Sequence, residues 1–586
     1  MKSIINKFLI GASAVALAGF TSCTGDLDQL PQDPNQVNVS DFAKDPKGYL
    51  GGAMAKCYSG LAVASQEGQS GACDISGVDG GMSQWSRAIF YLEDMSTDLC
   101  LWIWPDEGVP ELVYNTWDSN NKYAYSAFSR FYFHIAVCND FLRLARNAGD
   151  YGISLDAEMQ KELKQFTLEA RALRGITYYY VIDLFGRSTV AWDDLPYGET
   201  PPQAESRAAL YEKVVADLEE VEREFPEGEP VMGRIGKDAV QALLCKFYLN
   251  AEVYTGTPAY DKCWAMADKI IKKHQGGGFQ GSGLAMDYLS LFCASNDMFM
   301  PGGSNKAQNE ILWGIPYSDP YTLSWGGSLL QICAPLFKGA DVDLNKLDDA
   351  TTGYCNMAWY GINDAWGCML AREEFSNKFG FVDGKSVDGR AYLWLTEDMG
   401  FNKSNGELKG TTPAKAGYPP IKYTNLICNA DGTMPKWTDP EKGFPRAGVQ
   451  PVVSSSVVPD TDIPLLRLAD VYLMAAECSL RGAAGSSTSL GLQYANYVRE
   501  RAGVTAWNMS DFTLDNILDE RARELYSEGT RRTDLIRFNR YISGYTWSWK
   551  GGLKNGQDLR PNMTVYPFPT NIKAVYGDNL VQNPGY

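Results

Sequence analysis

FTLEARALRGITYYYVIDLFG, residues Phe166–Gly186, decides the class of fold. It carries long-chain residues that lose little freedom in a helix and closes on a glycine suited to a helix C-terminus. Outward from it the same grammar recurs. The helical signal begins at Tyr123. Further on, Tyr211, Val214, Val215 and Leu218 keep the i, i+3, i+4, i+7 spacing of one helix face until PEGEP (Pro226–Pro230) interrupts. Val240, Leu243, Leu244 and Phe247 repeat the spacing, a Tyr-Thr-Gly-Thr-Pro turn follows, and Trp264, Ala267 and Ile271 line the next face.

Helix, short turn, helix, with small residues at the contacts, is the pattern of a tetratricopeptide-like array. The expected fold is mainly α, a tetratricopeptide-like helical scaffold with a large loop-rich insertion. The insertion lies between 276 and 460, where GGG, PGG, WGGS, many aromatics and short apolar runs replace the helical pattern. Loops of this kind on a rigid scaffold often carry function. Helix is expected again over DIPLLRLADVYLMAAECSLRG (462–482), with Leu465, Leu468, Ala469, Tyr472 and Ala476 on one face, and a final helix over ILDERARELYSEGTRR (517–532). The end, from Thr564, reads as extended and turn-rich.

The beginning, MKSIINKFLIGASAVALAGFTSC, sets Lys2 and Lys7 before a short apolar run, Phe8 to Phe20, and small residues before Cys23. That is a secretory leader, too short for a comfortable membrane span. Thr21-Ser22-Cys23 resembles a bacterial lipobox, whose cysteine becomes the lipidated N-terminus; a plain leader with a chance cysteine is the other reading. The acidic TGDLD that follows resembles a surface-export signal. Residues 1–22 are therefore expected as signal peptide, 23–50 as an irregular tether lipidated at Cys23, 51–275 as the helical N-terminal part, 276–460 as the loop-rich region, and 461–586 as C-terminal helices and tail packed with the N-terminal part. No later segment is long and apolar enough to span a bilayer, so the chain is expected to be anchored to a membrane rather than threaded through it.

Apolar residues make up 45% of the 586 and charged residues 21%, as in folded proteins. A net charge of −18 argues against nucleic acid as a partner. The cysteines beyond Cys23 form no C-x-x-C pair, so a zinc ribbon or thioredoxin-type site is unsupported, and most read as small buried hydrophobes. His134, in the aromatic run FYFHI, reads as packed, and His274, after two lysines, as solvated. Two histidines supply neither a Ser-His-Asp arrangement nor a multi-histidine metal centre. The Gly276–Gly278 and Gly326–Gly327 runs lack the strand-then-helix context and lysine of a nucleotide loop.

Aromatic residues are in surplus, with 15 Trp and 33 Tyr. CLWIWPDEG (Cys100–Gly108) places Trp102 and Trp104 one residue apart, and in a strand the two would share a face. They are either core or an exposed platform.

Four segments carry a resemblance. DTDIPLLRLADVYLMAAE, DERARELYSEGTRRTDLIRF and YPFPTNI…QNPGY resemble, in order, the C-terminal signature of the SusD/RagB family, and EARALRGITYYYVIDLFG resembles its helical N-terminal signature. With the lipobox, the likeness covers nearly the whole chain. It implies a lipid-anchored, surface-exposed glycan-binding protein of the outer membrane, a lid on a SusC-type TonB-dependent transporter, with tetratricopeptide-like units and no enzymatic activity.

The likeness is closer to the family's starch-binding founder. The Trp-x-Trp pair of TDLCLWIWPDEG, Arg87 fifteen residues before Trp102, Trp325 in SWGGS and Trp366 in NDAWGCMLAR resemble the founder's sugar-contacting positions. They imply an arc of Trp104, Trp325 and Trp366, flanked by Trp102 and Arg87, fitting a helical α-glucan such as starch or maltooligosaccharides. Indole rings can stack on the apolar C–H faces of a pyranose while Arg87 offers fixed donors to hydroxyl oxygens. Glu107 falls where the founder has a sugar-bonding asparagine; ionised Glu only accepts, whereas Asn also donates, which leaves the hydroxyl pattern open, and the linkage with it.

Asp297, Asp460 and Asp462 resemble positions where the founder holds calcium, and hard carboxylate oxygens suit a structural Ca²⁺. The same residues would equally serve turns, with Asp462 capping a helix that starts near Pro464. The rival function is a surface glycoside hydrolase, which needs two carboxylates across a sugar cleft, and Asp106 with Glu107 is the pair to test. A lid without glycan affinity is the third reading.

Overall fold

The structure, a computed structural model, describes residues 44–65, 73–102, 104, 106–150, 153–195, 203–228, 230, 231, 233–276, 280–294, 296, 307–317, 322, 329–333, 366, 368–391, 394, 418, 420–428 and 459–586. Helix α1 (Pro46–Ala62) starts behind Asp45, whose side chain accepts from Gly48 N, with proline in the first turn where its missing N–H is not needed. The helix thus begins inside the stretch expected as an irregular tether up to residue 50. Helix α2 (Trp85–Glu93) was not announced by periodicity, because it is buried nearly all round, with only Arg87 partly exposed. Strand β1 (Cys100–Trp102) follows.

Helix α3 (Lys122–Arg146) is capped by Asn121, whose side chain accepts from the Tyr123 and Ala124 N–H groups. Helix α4 (Ala157–Phe185) is capped by Asp156 and stopped by Gly186 at φ +70°. Helices α5 (Arg207–Glu224), α6 (Lys237–Leu249) and α7 (Tyr260–His274) continue the array. Each of α3 to α7 packs on the next, the neighbour-to-neighbour stacking of tetratricopeptide-like units. Gly175 shows how the small residues work: a Cβ there would lie 2.7 Å from Leu218 Cδ2, so only glycine lets α4 and α5 approach this closely.

In the loop-rich region the described residues form short elements, among them β2 (Ile311–Ile315) and β3 (Met369–Ala371). The expected helix from 462 is corrected. Ile463–Arg467 is strand β4, antiparallel to β2 with Ile315 opposite Ile463. Pro464, which has no N–H to donate, is tolerated in this two-stranded ladder, and Leu465 belongs to it rather than to a helix face. Helix α8 (Leu468–Leu480) starts only afterwards, packs on α7 and is followed by α9 (Thr488–Arg501).

The expected single helix over 517–532 is two. Helix α10 (Leu514–Leu525) and helix α11 (Arg531–Arg537) are separated by a turn in which Ser527 and Gly529 take positive φ. Gly529 N donates to Asp94 Oδ2 at 3.0 Å, and a Cβ on Gly529 would fall 2.3 Å from Ile89 Cγ2, so this turn is wedged against α2. The tail is not wholly extended either, since Thr570–Tyr576 is helical.

On α10 the charges of Glu520, Arg521 and Glu524 are buried rather than solvated. Arg467 at the end of β4 binds Glu310 at 2.7 Å and Glu524 at 3.0 Å, Arg501 pairs with both acids, and Arg390 bridges Glu520 at 2.7 Å and Asp388 at 2.7 Å. Burial alone would raise the two α10 carboxyls. Arg390, Arg523 and Arg499 nevertheless hold Glu520 well below the usual range, and Arg501, Arg467 and Arg390 hold Glu524 at about 2. The described cysteines are free and nearly all buried. His134 is packed between Thr177 Oγ1 (2.7 Å) and the Cys57 carbonyl (2.9 Å). His274 is not simply solvated, since its Nε2 meets Asp238 at 2.8 Å. Among the described residues no helix is long and apolar enough to cross a membrane.

Candidate functional site

The site is built where β1 meets β3. The strands are antiparallel, with Cys100 opposite Ala371 and Trp102 opposite Met369. Beyond Trp102 the two chains continue past one another, which brings Trp104 beside Trp366. The Trp104 indole N–H donates to the Trp366 carbonyl at 3.2 Å, and its ring is 43% exposed. The Trp366 ring is half-buried and packs against the core.

Arg87 reaches the same place from α2. Its Cζ lies 5.2 Å from the Trp366 ring centroid and 5.3 Å from that of Tyr91, within the range of a cation–π contact. Its Nε donates to the Tyr91 hydroxyl at 2.6 Å. Burial pushes the Tyr91 phenol up to about 12, against the pull of Arg87, so the hydroxyl keeps its proton at any working pH.

Trp102 does not join the exposed face. It is only 5% exposed, its N–H donates to Asp106 Oδ2 at 2.9 Å, and its ring lies 5.5 Å from that of Tyr91. The expectation that Trp102 and Trp104 share a face, and that Trp102 flanks a ligand, is corrected. The strand ends at Trp102, so the alternation that would carry both rings to one side stops between them. One tryptophan is the footing and the other is on show.

Glu107 lies on the surface and meets Lys122 Nζ at 3.5 Å. Asp106 is exposed and accepts from Trp102. The pair named as a hydrolase test is thus already engaged, with an indole N–H on one carboxylate and an ammonium on the other.

Trp325, Asp297 and Cys23 lie outside the described residues. Asp462 does not cap a helix: its Oδ1 accepts from Tyr317 N at 2.7 Å, and its backbone exchanges bonds with the Asn296 side chain at 2.9 and 3.2 Å. Asp460 N donates to Asn425 Oδ1 at 2.8 Å. Among the described residues no cluster of three metal-ligating side chains gathers, and Asp460 with Asp462 supplies two hard carboxylates.

Tyr91 and Tyr123, whose rings meet edge-on at 4.5 Å beneath the site, were missed in the sequence. The available signal was the i, i+4 spacing of Arg87 and Tyr91, legible once α2 is known to be helical.

A helical, tetratricopeptide-like scaffold that displays indole rings and a fixed guanidinium at one short sheet edge defines the class of protein. Residues 344–586 match the model of the SusD family. The chain is 29% identical to the starch-binding protein SusD of Bacteroides thetaiotaomicron, covering 100% of both. It is 46% identical over 422 residues to SusD-like protein P25 of Formosa agariphila, covering 65% of each. Surface glycan-binding protein A from Bacteroides thetaiotaomicron, solved with laminarihexaose, superposes with a TM-score of 0.60 at 19% identity, over 92% of this chain and 99% of that one. A SusD superfamily protein from the same species gives 0.62 at 18% identity, over 94% and 100%. Over residues 344–586 by the family model, and over its full length by its likeness to one member, the chain is similar to the SusD family.

Proposed function

We propose that this protein is a cell-surface glycan-binding lipoprotein that captures starch-like α-glucan and hands it to a SusC-type TonB-dependent transporter in the outer membrane. The observation that carries the reading is Trp104: a large ring left exposed while its N–H is fastened to Trp366, next to a guanidinium held at a fixed angle. A preformed ring edge binds a glucan turn with little ordering cost to the protein. Trp325 would complete the arc, and full-length similarity to a starch-binding protein supports the choice of glucan. Weak single-site binding would be raised by many sites on a long polymer.

On the same reading residues 1–22 are removed as a signal peptide, Cys23 carries the lipid, and the protein binds its glycan without cleaving it. Asp460 and Asp462, with Asp297, would hold a structural calcium. The reciprocal Asn296–Asp462 bonds, beside Asp297 in the chain, support that grouping. The ion would brace the loop-rich region.

The test is retardation in native gels cast with amylopectin, dextran or laminarin. The protein should be held back by amylopectin and release no reducing ends from it. Replacing Trp104, Trp325 and Trp366 together with Ala should abolish the retardation while leaving the thermal transition in place. Unchanged retardation would remove the site; retention on dextran or laminarin alone would change the substrate.

A further inference from the structure

Arg87 and Tyr91 sit one helical turn apart on α2, and they differ in what they can touch. Arg87 is partly exposed at the edge, whereas Tyr91 is 0% exposed. Tyr91 is wedged between Tyr123 at 4.5 Å and Trp102 at 5.5 Å, and Trp102 is itself held by Asp106. Its hydroxyl oxygen is therefore a rigid acceptor, and it accepts the Arg87 Nε–H at 2.6 Å. A guanidinium carries all five donors in one plane, so engaging Nε fixes the plane and leaves the terminal N–H groups for another partner. The other boundaries are equally set. The Trp366 ring centroid is 5.2 Å from Cζ, and a Cβ on Gly81 would come within 2.9 Å of Nη1, so the backbone turn before α2 closes on that side.

We infer that Tyr91 is a positioning residue of the glycan site: by taking the Nε–H it holds the terminal donors of Arg87 in the gap beside Trp366, without meeting the ligand itself. This rests on the reading of Arg87 as a glycan contact. It also gives a reason for a tyrosine here, since phenylalanine would fill the same space between Trp102 and Tyr123.

The experiment uses Tyr91→Phe, which keeps the ring and removes the acceptor, alongside Arg87→Ala and Arg87→Lys. Two readouts separate positioning from packing. In protein labelled with ¹⁵N at arginine, the Arg87 Nε–H resonance, identified by its loss in Arg87→Lys, should shift in Tyr91→Phe and exchange with water about tenfold faster. Binding of maltoheptaose, followed calorimetrically, should weaken about tenfold in Tyr91→Phe and in Arg87→Ala, as for a lost hydrogen bond to a charged group, and no further in the double variant. In the Arg87→Lys background, which has no Nε–H, adding Tyr91→Phe should change affinity less than about twofold.

Wild-type affinity and an unmoved resonance in Tyr91→Phe would overturn the inference. So would losses that add in the double variant or persist on Arg87→Lys, because they would mean that Tyr91 acts through packing. If Arg87→Ala binds maltoheptaose like the wild type, the reading of Arg87 fails instead, and the Nε–H resonance still decides whether Tyr91 fixes the guanidinium.

Discussion

The β1–β3 edge and the charged interior around α10 treat the same chemistry in opposite ways. At the edge a guanidinium is partly exposed and spends its Nε–H on Tyr91. Around α10, the side chains of Arg390, Arg467 and Arg501 are at most 1% exposed and meet carboxylates from the loop-rich region, α10 and the turn after it. A buried cation surrounded by acids is committed to the fold. One with spare donors at the surface is open to a ligand. Burial and unspent bonding capacity, rather than residue type, tell the two apart.

The largest effect should come from breaking the interior. Arg467→Met would leave Glu310, Glu524 and Glu528 short of a buried partner and lower unfolding free energy by about 3–5 kcal/mol in urea titrations. Whatever fraction stays folded should still be retarded by amylopectin. A midpoint within error of wild type would show the cluster to be marginal.

The next effect lies where the interior meets α2. Asp94 is fully buried beside the α10–α11 turn, and burial lifts its carboxyl to about 7, above the ordinary value of about 3.9. The folded state holds this proton more tightly than the unfolded chain. The stability linked to it is thus complete below about pH 4 and drains away as pH rises through 7. Asp94→Asn keeps an acceptor for Gly529 N and has no charge to bury. It should match wild type near pH 4 and exceed it at pH 8 by up to about 4 kcal/mol, read from urea midpoints at both values. Equal stability at pH 8 would mean that the native protein already accommodates the carboxylate.

The smallest effect on stability belongs to the edge. Trp104→Ala should leave the unfolding free energy within about 0.5 kcal/mol of wild type and weaken maltoheptaose binding about tenfold. A large loss of stability would move Trp104 from display to support, beside Trp102.

How far these regions were legible in the sequence follows from how local their causes are. Helix α4 is written in its own residues, with long-chain helix formers and Gly186 at the end. Strand β4 was not legible, since the short apolar run Ile463–Leu466 suits strand or helix equally, and the strand identity comes from Ile311–Ile315, far away in the chain. The α10 charges look like a solvated helix face because Glu310, Arg390 and Arg467 sit at distant positions that no spacing rule connects. At the site, the rings Trp104 and Trp366 and the cation Arg87 could be picked out, and the structure brings them together. The burial of Trp102 and the role of Tyr91 could not, because both depend on β1 ending after three residues and on a helix that carries almost no polar stripe.

The wedge of Gly529 between Asp94 and Ile89 has a consequence for which parts of the molecule can change independently. It clamps the far end of α2 to the C-terminal motif and leaves the Arg87 end overlooking the loops. Substitutions in those loops can therefore change what meets Arg87 while the clamp stays in place. The molecule is organised as a durable handle with an interchangeable blade.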